Sequence, residues 1–289
     1  IQGEIGMGFN FFKIIYRLTA SNLPVRGKLT YFQRFRLAFQ ELRKSAGEDT
    51  RLLSVMSLRK RAVLGSVDSS RVAGNVFRTS IRERISSCLW AMPLGNRWFA
   101  VDNDSFYLAT EVEGVSLVVG GWPMARTWMS MVGLSCGNAF TTDVLSRETF
   151  KPYWRNLEVL TPPARERTQV LDIGTGLEWP RLAGKVERDW GQWVVALLWN
   201  PENKERVVGL DLARAGLNPS KRHAVWSFWD NKYLGVVEKE YKTPFLAPSA
   251  SQHLVFTELP EDWNKPVVIG SNLHIYCGAA ELKNVTTLD

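Results

Sequence analysis

Apolar residues change their spacing midway along this chain. Up to about residue 160, short apolar runs alternate with longer stretches of helical period. FNFFKIIY (9–16) reads as a buried strand. In residues 30–46, Phe32, Phe35, Phe39 and Leu42 recur at steps of three and four. That is the stripe of an amphipathic helix, and Gly47 supplies its stop. Strands are then expected at 51–56 and 66–72, a helix at 79–92, a strand at 98–104, a helix at 123–135, a strand at 138–144 and a helix at 147–159. Such alternation predicts parallel βα units.

After Thr161-Pro162-Pro163 the pattern shortens. WVVALLW (193–199), ERVVGLDL (205–212), HAVWSFWD (223–230), KYLGVVEKEY (232–241), HLVFTEL (253–259) and PVVIGSNLHIY (266–276) are strand-length runs separated by turn residues. This is the signature of an antiparallel sandwich. The Pro-Pro pair punctuates the change. The expectation is an α/β unit over 1–161 and an all-β unit over 162–289.

Composition narrows the class. The chain has 289 residues, 45% apolar and 22% charged, enough to bury a core in one large domain or two smaller ones. Twelve Trp suit a protein that faces sugars, whose C–H faces lie flat on aromatic rings, although core packing accounts for most Trp in most proteins. The formal charge is +7, and Lys28, Arg34, Arg36, Arg43, Lys44, Arg51 and Arg59-Lys60-Arg61 concentrate it early. Several of these sit at helical spacing as a solvated face, and no nucleic-acid-binding motif accompanies them, so no nucleic-acid partner is predicted. No apolar run reaches 18 residues, so no membrane span is predicted. Cys88, Cys136 and Cys277 are far apart and form no CxxC pair, which is compatible with a reduced, cytoplasmic protein. His223, His253 and His274 fall in expected strands without metal-ligand spacing, so neither metal nor cofactor is predicted.

Five segments, in order, carry a resemblance. MGFNFFKIIY, ELRKSAGEDTRLLS, GSVDSSRVAGNVF, RTWMSMVGLSCGNAFTTDVL and VVIGSNLHIYCGAAELKNV are similar to successive motifs of glycoside hydrolase family 36 and the related α-galactosidases of family 27. The similarity runs from about Gly6 to Leu288. It implies a partial (β/α)8 TIM barrel, strands four to eight, followed by an all-β antiparallel sandwich. Strands one to three would lie before Ile1. Five units cannot close an eight-stranded barrel, so the expectation is a longer gene product or a second subunit that covers the open edges.

The departures bear on chemistry. Retaining glycosidases need two carboxylates about 5 Å apart. The family's nucleophile is the Asp of a K-x-D triplet, and here Lys13 is followed by Ile14 and Ile15, so Ile15 holds the nucleophile position. The acid/base is the Asp four residues after a strand-six Arg, and here Arg71 leads to Asn75. Neither a hydrocarbon nor an amide can do that work. The resemblance thus implies an impaired homologue that keeps a carbohydrate-binding shell: Lys13 and Arg71 in sugar-facing positions, Asp102 and Asp104 ending strand seven, and Asp143 ending strand eight or capping the next helix. The alternative is a working glycosidase in which Asp68, Asp102 or Asp104 takes over, Asp68 otherwise bracing its loop. A third reading takes VLDIGTG (170–176), with Gly174 in its loop and Asp211 in a second acidic strand, as a methyltransferase's S-adenosylmethionine loop. That motif needs its glycines to open a helix, and Glu178-Trp179-Pro180 follow instead.

Overall fold

A computed structural model gives the fold, with residues 1–15, 29–55, 62–74, 80–95, 97–106, 111–112, 115–116, 121–135, 137–146, 148–162, 166–175, 181–262, 266–283 and 285–286 described. A short helix α1 (Gln2–Gly6) leads into β1 (Phe11–Ile14), α2 (Tyr31–Ala46), β2 (Arg51–Ser54), β3 (Ser69–Arg71), α3 (Ile81–Ala91) and β4 (Ala100–Phe106). The small hairpin β5 (Glu111–Val112) and β6 (Val115–Ser116) precedes α4 (Gly121–Leu134), β7 (Asn138–Thr141) and α5 (Trp154–Glu158). Helices α2 and α3 lie where the sequence pattern put them, and each begins on a capping box. Thr30 and Gln33 bond reciprocally at the start of α2, and Ser80 and Glu83 do so at the start of α3.

One parallel sheet runs β1-β2-β3-β4-β7. Its convex side takes the helices: Phe12, Ile14 and Leu52 meet Phe35 and Phe39 of α2, while Val72 and Val101 join Ile85, Leu89 and Met129 of α3 and α4. Its concave side shows how strongly it curls. The rings of Phe11 on β1 and Phe140 on β7 lie 6.0 Å apart, so the two edge strands face each other across the hollow. Four inter-strand steps therefore carry the sheet from one wall to the opposite wall, the arc of half an eight-stranded barrel.

The strands that follow are β8 (Gln169–Val170), β9 (Leu182–Arg188), β10 (Gly191–Trp199), β11 (Gly209–Asp211), β12 (His223–Ser227), β13 (Lys232–Val237), β14 (Glu240–Lys242) and β15 (Ser251–Glu258). Six of them form an antiparallel sheet, ordered β13-β12-β15-β10-β9-β8, and β11 pairs with β14. On one face, Val194, Ala196, Leu254 and Phe256 pack against Leu210 and Tyr241 of that pair. On the other, Trp193, Val195, Leu197 and Val255 share a core with α4 and Tyr276. Polar ties reinforce this contact: the Trp229 indole donates to Ser130 Oγ at 2.8 Å, and Ser130 Oγ lies 3.1 Å from His253 Nδ1. Burial drives the His253 pKa down to about 3 and raises the thiol of Cys277, 3.9 Å away, well above its usual value. The pair is neutral packing, not a nucleophile and its base.

Four expectations need correction. Residues 266–276 form bends and turns rather than a strand, because Ile275 and Tyr276 bury themselves beneath α4; His274 therefore lies in a turn, its Nε2 2.9 Å from the Pro162 carbonyl. Strand β9 went unforeseen, since LAGKVER mixes charges and a glycine into a short apolar pattern. The 147–159 helix is instead a 3-10 helix over Glu148–Tyr153 followed by the short α5. The 232–241 run divides: β13 stays in the large sheet, while β14 crosses to β11. Cys88 and Cys277 are buried thiols, in no disulfide among the described residues; Cys136 lies outside the described residues. Among the described residues, no cluster of three metal-ligating side chains occurs and no helix is long and apolar enough to cross a membrane.

Candidate functional site

Parallel strands gather their working residues at their C-terminal ends. Here that end collects Lys13 from β1, Arg71 from β3, and Asp102 and Asp104 from β4. Arg71 and Asp102 are register partners, and Asp102 pairs in turn with Asn138 of β7. An irregularity interrupts the β4–β7 ladder between Asp102 and Ser105, and Asp104 takes a left-handed φ of 65° there. This conformation costs energy for a non-glycine residue, although Asp bears it better than most.

The turn aims the Asp104 carboxylate at two cations. Arg71 Nη2 donates to Oδ2 at 2.5 Å, and Lys13 Nζ stands 3.6 Å from Oδ1. The Arg71 and Asp104 side chains are each only 8% exposed. Lys13 also lies 5.0 Å over the Phe140 ring. Beneath them Asp102 is completely buried; its Oδ1 accepts the Asp104 amide at 3.0 Å and its Oδ2 has no hydrogen-bond partner. Burial pushes the Asp102 carboxyl up to about 6, against the pull of Lys13. Arg84 of α3 completes the cluster, donating to the Ser105 carbonyl and stacking 3.9 Å over Trp128. Burial brings its pKa down to about 10, with Asp104 opposing and Arg71 assisting.

The structure brings Lys13, Arg71, Asp102 and Asp104 together and separates Asp68 from them. Asp68 precedes β3 at the opposite end of the sheet, roughly 10 Å away along the strands. It accepts from Arg43 at 2.5 Å, Arg51 at 2.9 Å and the Leu52 amide at 2.8 Å. Desolvation would raise its pKa, but that amide and the two guanidinium groups hold it below the ordinary carboxylate value. Asp68 is a brace between α2, β2 and β3. Ile15 follows β1 on the face of Lys13 and is 69% exposed. Asn75 lies outside the described residues. Asp143 bonds with Thr141, two residues back.

The methyltransferase arrangement does not form. Gly174 sits in a run of turns over 171–175, and antiparallel β9 begins seven residues later at Leu182. Asp172, the acid of that loop, is buried and engaged by Arg181 and Arg214. Sequence reasoning missed Asn138, Phe140 and Arg84. The alternation in NAFT could have placed the first two on the concave face; nothing in the sequence marks Arg84 among other helical arginines.

A half-barrel of parallel strands with its charged mouth at their C-terminal ends, packed on an antiparallel sandwich, defines an α-galactosidase-like glycoside hydrolase fold. The chain is similar to Abp, a GH27 β-L-arabinopyranosidase from Geobacillus stearothermophilus, with TM-score 0.64 and 15% identity over 92% of this chain and 61% of that one. A variant of the same enzyme in complex with arabinose matches at TM-score 0.65 and 15% identity, over 90% of this chain and 61% of that one. α-Galactosidase from Saccharomyces cerevisiae with raffinose matches at TM-score 0.61 and 10% identity, over 89% and 74% of the two chains. No family profile and no curated protein matches the sequence. The chain thus spans about three fifths of the Geobacillus enzyme's length.

Proposed function

We propose that this chain is an α-galactosidase-like glycoside hydrolase homologue that holds a galactoside-like glycan at the C-terminal mouth of its strands without cleaving it. One observation carries the reading. At the tip of β1, where the resemblance assigns the nucleophile, the exposed side chain of Ile15 offers only hydrocarbon. Lys13, Arg71 and Phe140 remain as donors and an aromatic face for a sugar. The glycans in the solved neighbours support the class of ligand: arabinose in one and raffinose in another.

A second reading has its own support. A carboxyl pushed up to about 6 by burial and set beside a second carboxyl is an arrangement that acid catalysis uses, and Asp102 beside Asp104 could supply it. A nitrophenyl α-galactoside separates the two. The proposal expects no release above buffer, together with galactose binding, seen by ligand-observed NMR, that weakens in Lys13→Met. Turnover that disappears in both Asp104→Asn and Asp102→Asn would establish the hydrolytic reading instead.

A further inference from the structure

The concave face opens a second time, at the N-terminal ends of its strands. A cavity of about 460 Å³ lies there, lined by Phe11, Arg51, Ser69, Arg97, Trp98 and Asn138 among others. In a closed barrel this end is filled by layers of side chains. Here it contains polar atoms with no hydrogen-bond partner among the described residues. Ser69 is 3% exposed, and its Oγ has no partner; neither has Nδ2 of the neighbouring Asn138. Farther up the same face, Asp102 Oδ2 is in the same state. A buried polar group left unsatisfied costs about 1–3 kcal/mol, so two of them on one cavity wall, Ser69 Oγ and Asn138 Nδ2, favour an occupant with hydroxyl groups.

The rim adds charge and flat surface. Arg51 is 65% exposed, and Arg97 is exposed with no ion-pair partner among the described residues. The acid nearby, Asp68, is already shared between Arg43 and Arg51. The rim is therefore net positive. Trp98 and Phe11, 44% and 40% exposed, present apolar faces beside it.

We infer that this N-terminal mouth is a second ligand site, and that its ligand is a small hydroxylated carboxylate of the sugar-acid class. The carboxylate meets Arg97 and Arg51, the ring lies along Trp98, and hydroxyl groups satisfy Ser69 Oγ and Asn138 Nδ2. A neutral sugar leaves the cations without a counter-charge, and a bare anion leaves the buried polar atoms unmet. The charged rim of this site, Arg51 and Arg97, lies at the opposite end of the strands from Lys13, so the two can be tested apart.

D-galacturonate is the probe, titrated by calorimetry with D-galactose and inorganic phosphate alongside. The expected result is galacturonate binding that Arg97→Gln weakens about tenfold and Asn138→Leu, which removes the unmet amide and puts hydrocarbon against the ligand's hydroxyl groups, abolishes. Lys13→Met should leave it unchanged. Arg97 is exposed, so its replacement tests the site even where Asn138→Leu fails to fold. Absence of galacturonate binding would mean that protein side chains close this face, and would overturn the assignment. So would galacturonate binding indifferent to Arg97→Gln, or phosphate that displaces galacturonate at equal concentration.

Discussion

Replacing Asp104 by Asn removes one negative charge and almost no volume. In the native protein that charge faces Arg71 at 2.5 Å and Lys13 at 3.6 Å, with Arg84 close enough to feel it. Lys13 can turn toward water, since its side chain is 27% exposed, but Arg71 cannot. Breaking a buried ion pair by deleting one partner costs about 3–5 kcal/mol, because the other charge remains buried. The Asn carbonyl still accepts one bond from Arg71, which points to the lower end, about 3 kcal/mol. For a chain of this size that lowers the melting temperature by roughly 5 °C. Urea unfolding measures it, the midpoint falling while the slope stays constant. Combining Asp104→Asn with Arg71→Met removes both buried charges, so the double variant should recover about 2 kcal/mol relative to the sum of the single losses. A single variant within about 0.5 kcal/mol of the wild type, or a double whose losses merely add, would refute the idea that Asp104 is held as a counter-ion.

Two further outcomes follow from buried groups at the same sheet. The Asp102 carboxyl titrates near 6 in the folded protein, above its ordinary 3.8, so the folded state binds that proton more tightly than the unfolded chain. Relative to Asp102→Asn, the wild type should therefore gain about 3 kcal/mol as pH falls from above 6 to below 4, and lose it again as pH rises; a difference that stays flat across that window contradicts the buried, half-satisfied carboxyl. At Gly137 a Cβ would stand 1.8 Å from the Val101 carbonyl oxygen, whereas at Gly191 nothing lies within 4 Å. Gly137→Ala should cost more than about 3 kcal/mol or prevent folding, and Gly191→Ala should stay within about 1 kcal/mol of the wild type, both read from thermal melts.

Much of the fold was legible because its signals are local. The Phe35–Phe39 stripe with its Gly47 stop and the apolar runs of β2, β10 and β15 depend only on near neighbours, and each element lies where its pattern placed it. What escaped is settled at long range. Whether apolar residues such as Ile275 and Tyr276 extend as a strand or fold into turns depends on α4, some 140 residues away in the chain, to which Tyr276 donates through Leu134. The site divides in the same way. Lys13, Arg71, Asp102 and Asp104 could be chosen as ends of parallel strands, and register assembled them. The sequence does not say that Asp104 turns left-handed to meet two cations, nor that Asp68 belongs to the other end of the sheet.

That geometry bears on the proposal that the mouth binds without cleaving, and on whether another carboxylate there could act in the role the resemblance gives to the Ile15 position. A nucleophile in glycoside cleavage needs a charged oxygen with a lone pair open to the sugar, and an acid needs a proton it can deliver there. Oδ2 of Asp104 accepts from Arg71 at 2.5 Å and Oδ1 faces the Lys13 ammonium at 3.6 Å, so two cations stand between its carboxylate and an approaching sugar. Asp102 is the reverse: Oδ2 is unengaged and the carboxyl holds its proton to about pH 6, but the residue is wholly enclosed. Charge sits on one residue and an unengaged oxygen on the other, and solvent reaches neither freely. For hydrolysis to occur here, sugar binding would have to pull Lys13 and Arg71 away from Asp104 and uncover Asp102 at the same time. Each of those movements works against an ion pair or a buried backbone bond that stabilises the mouth as it stands.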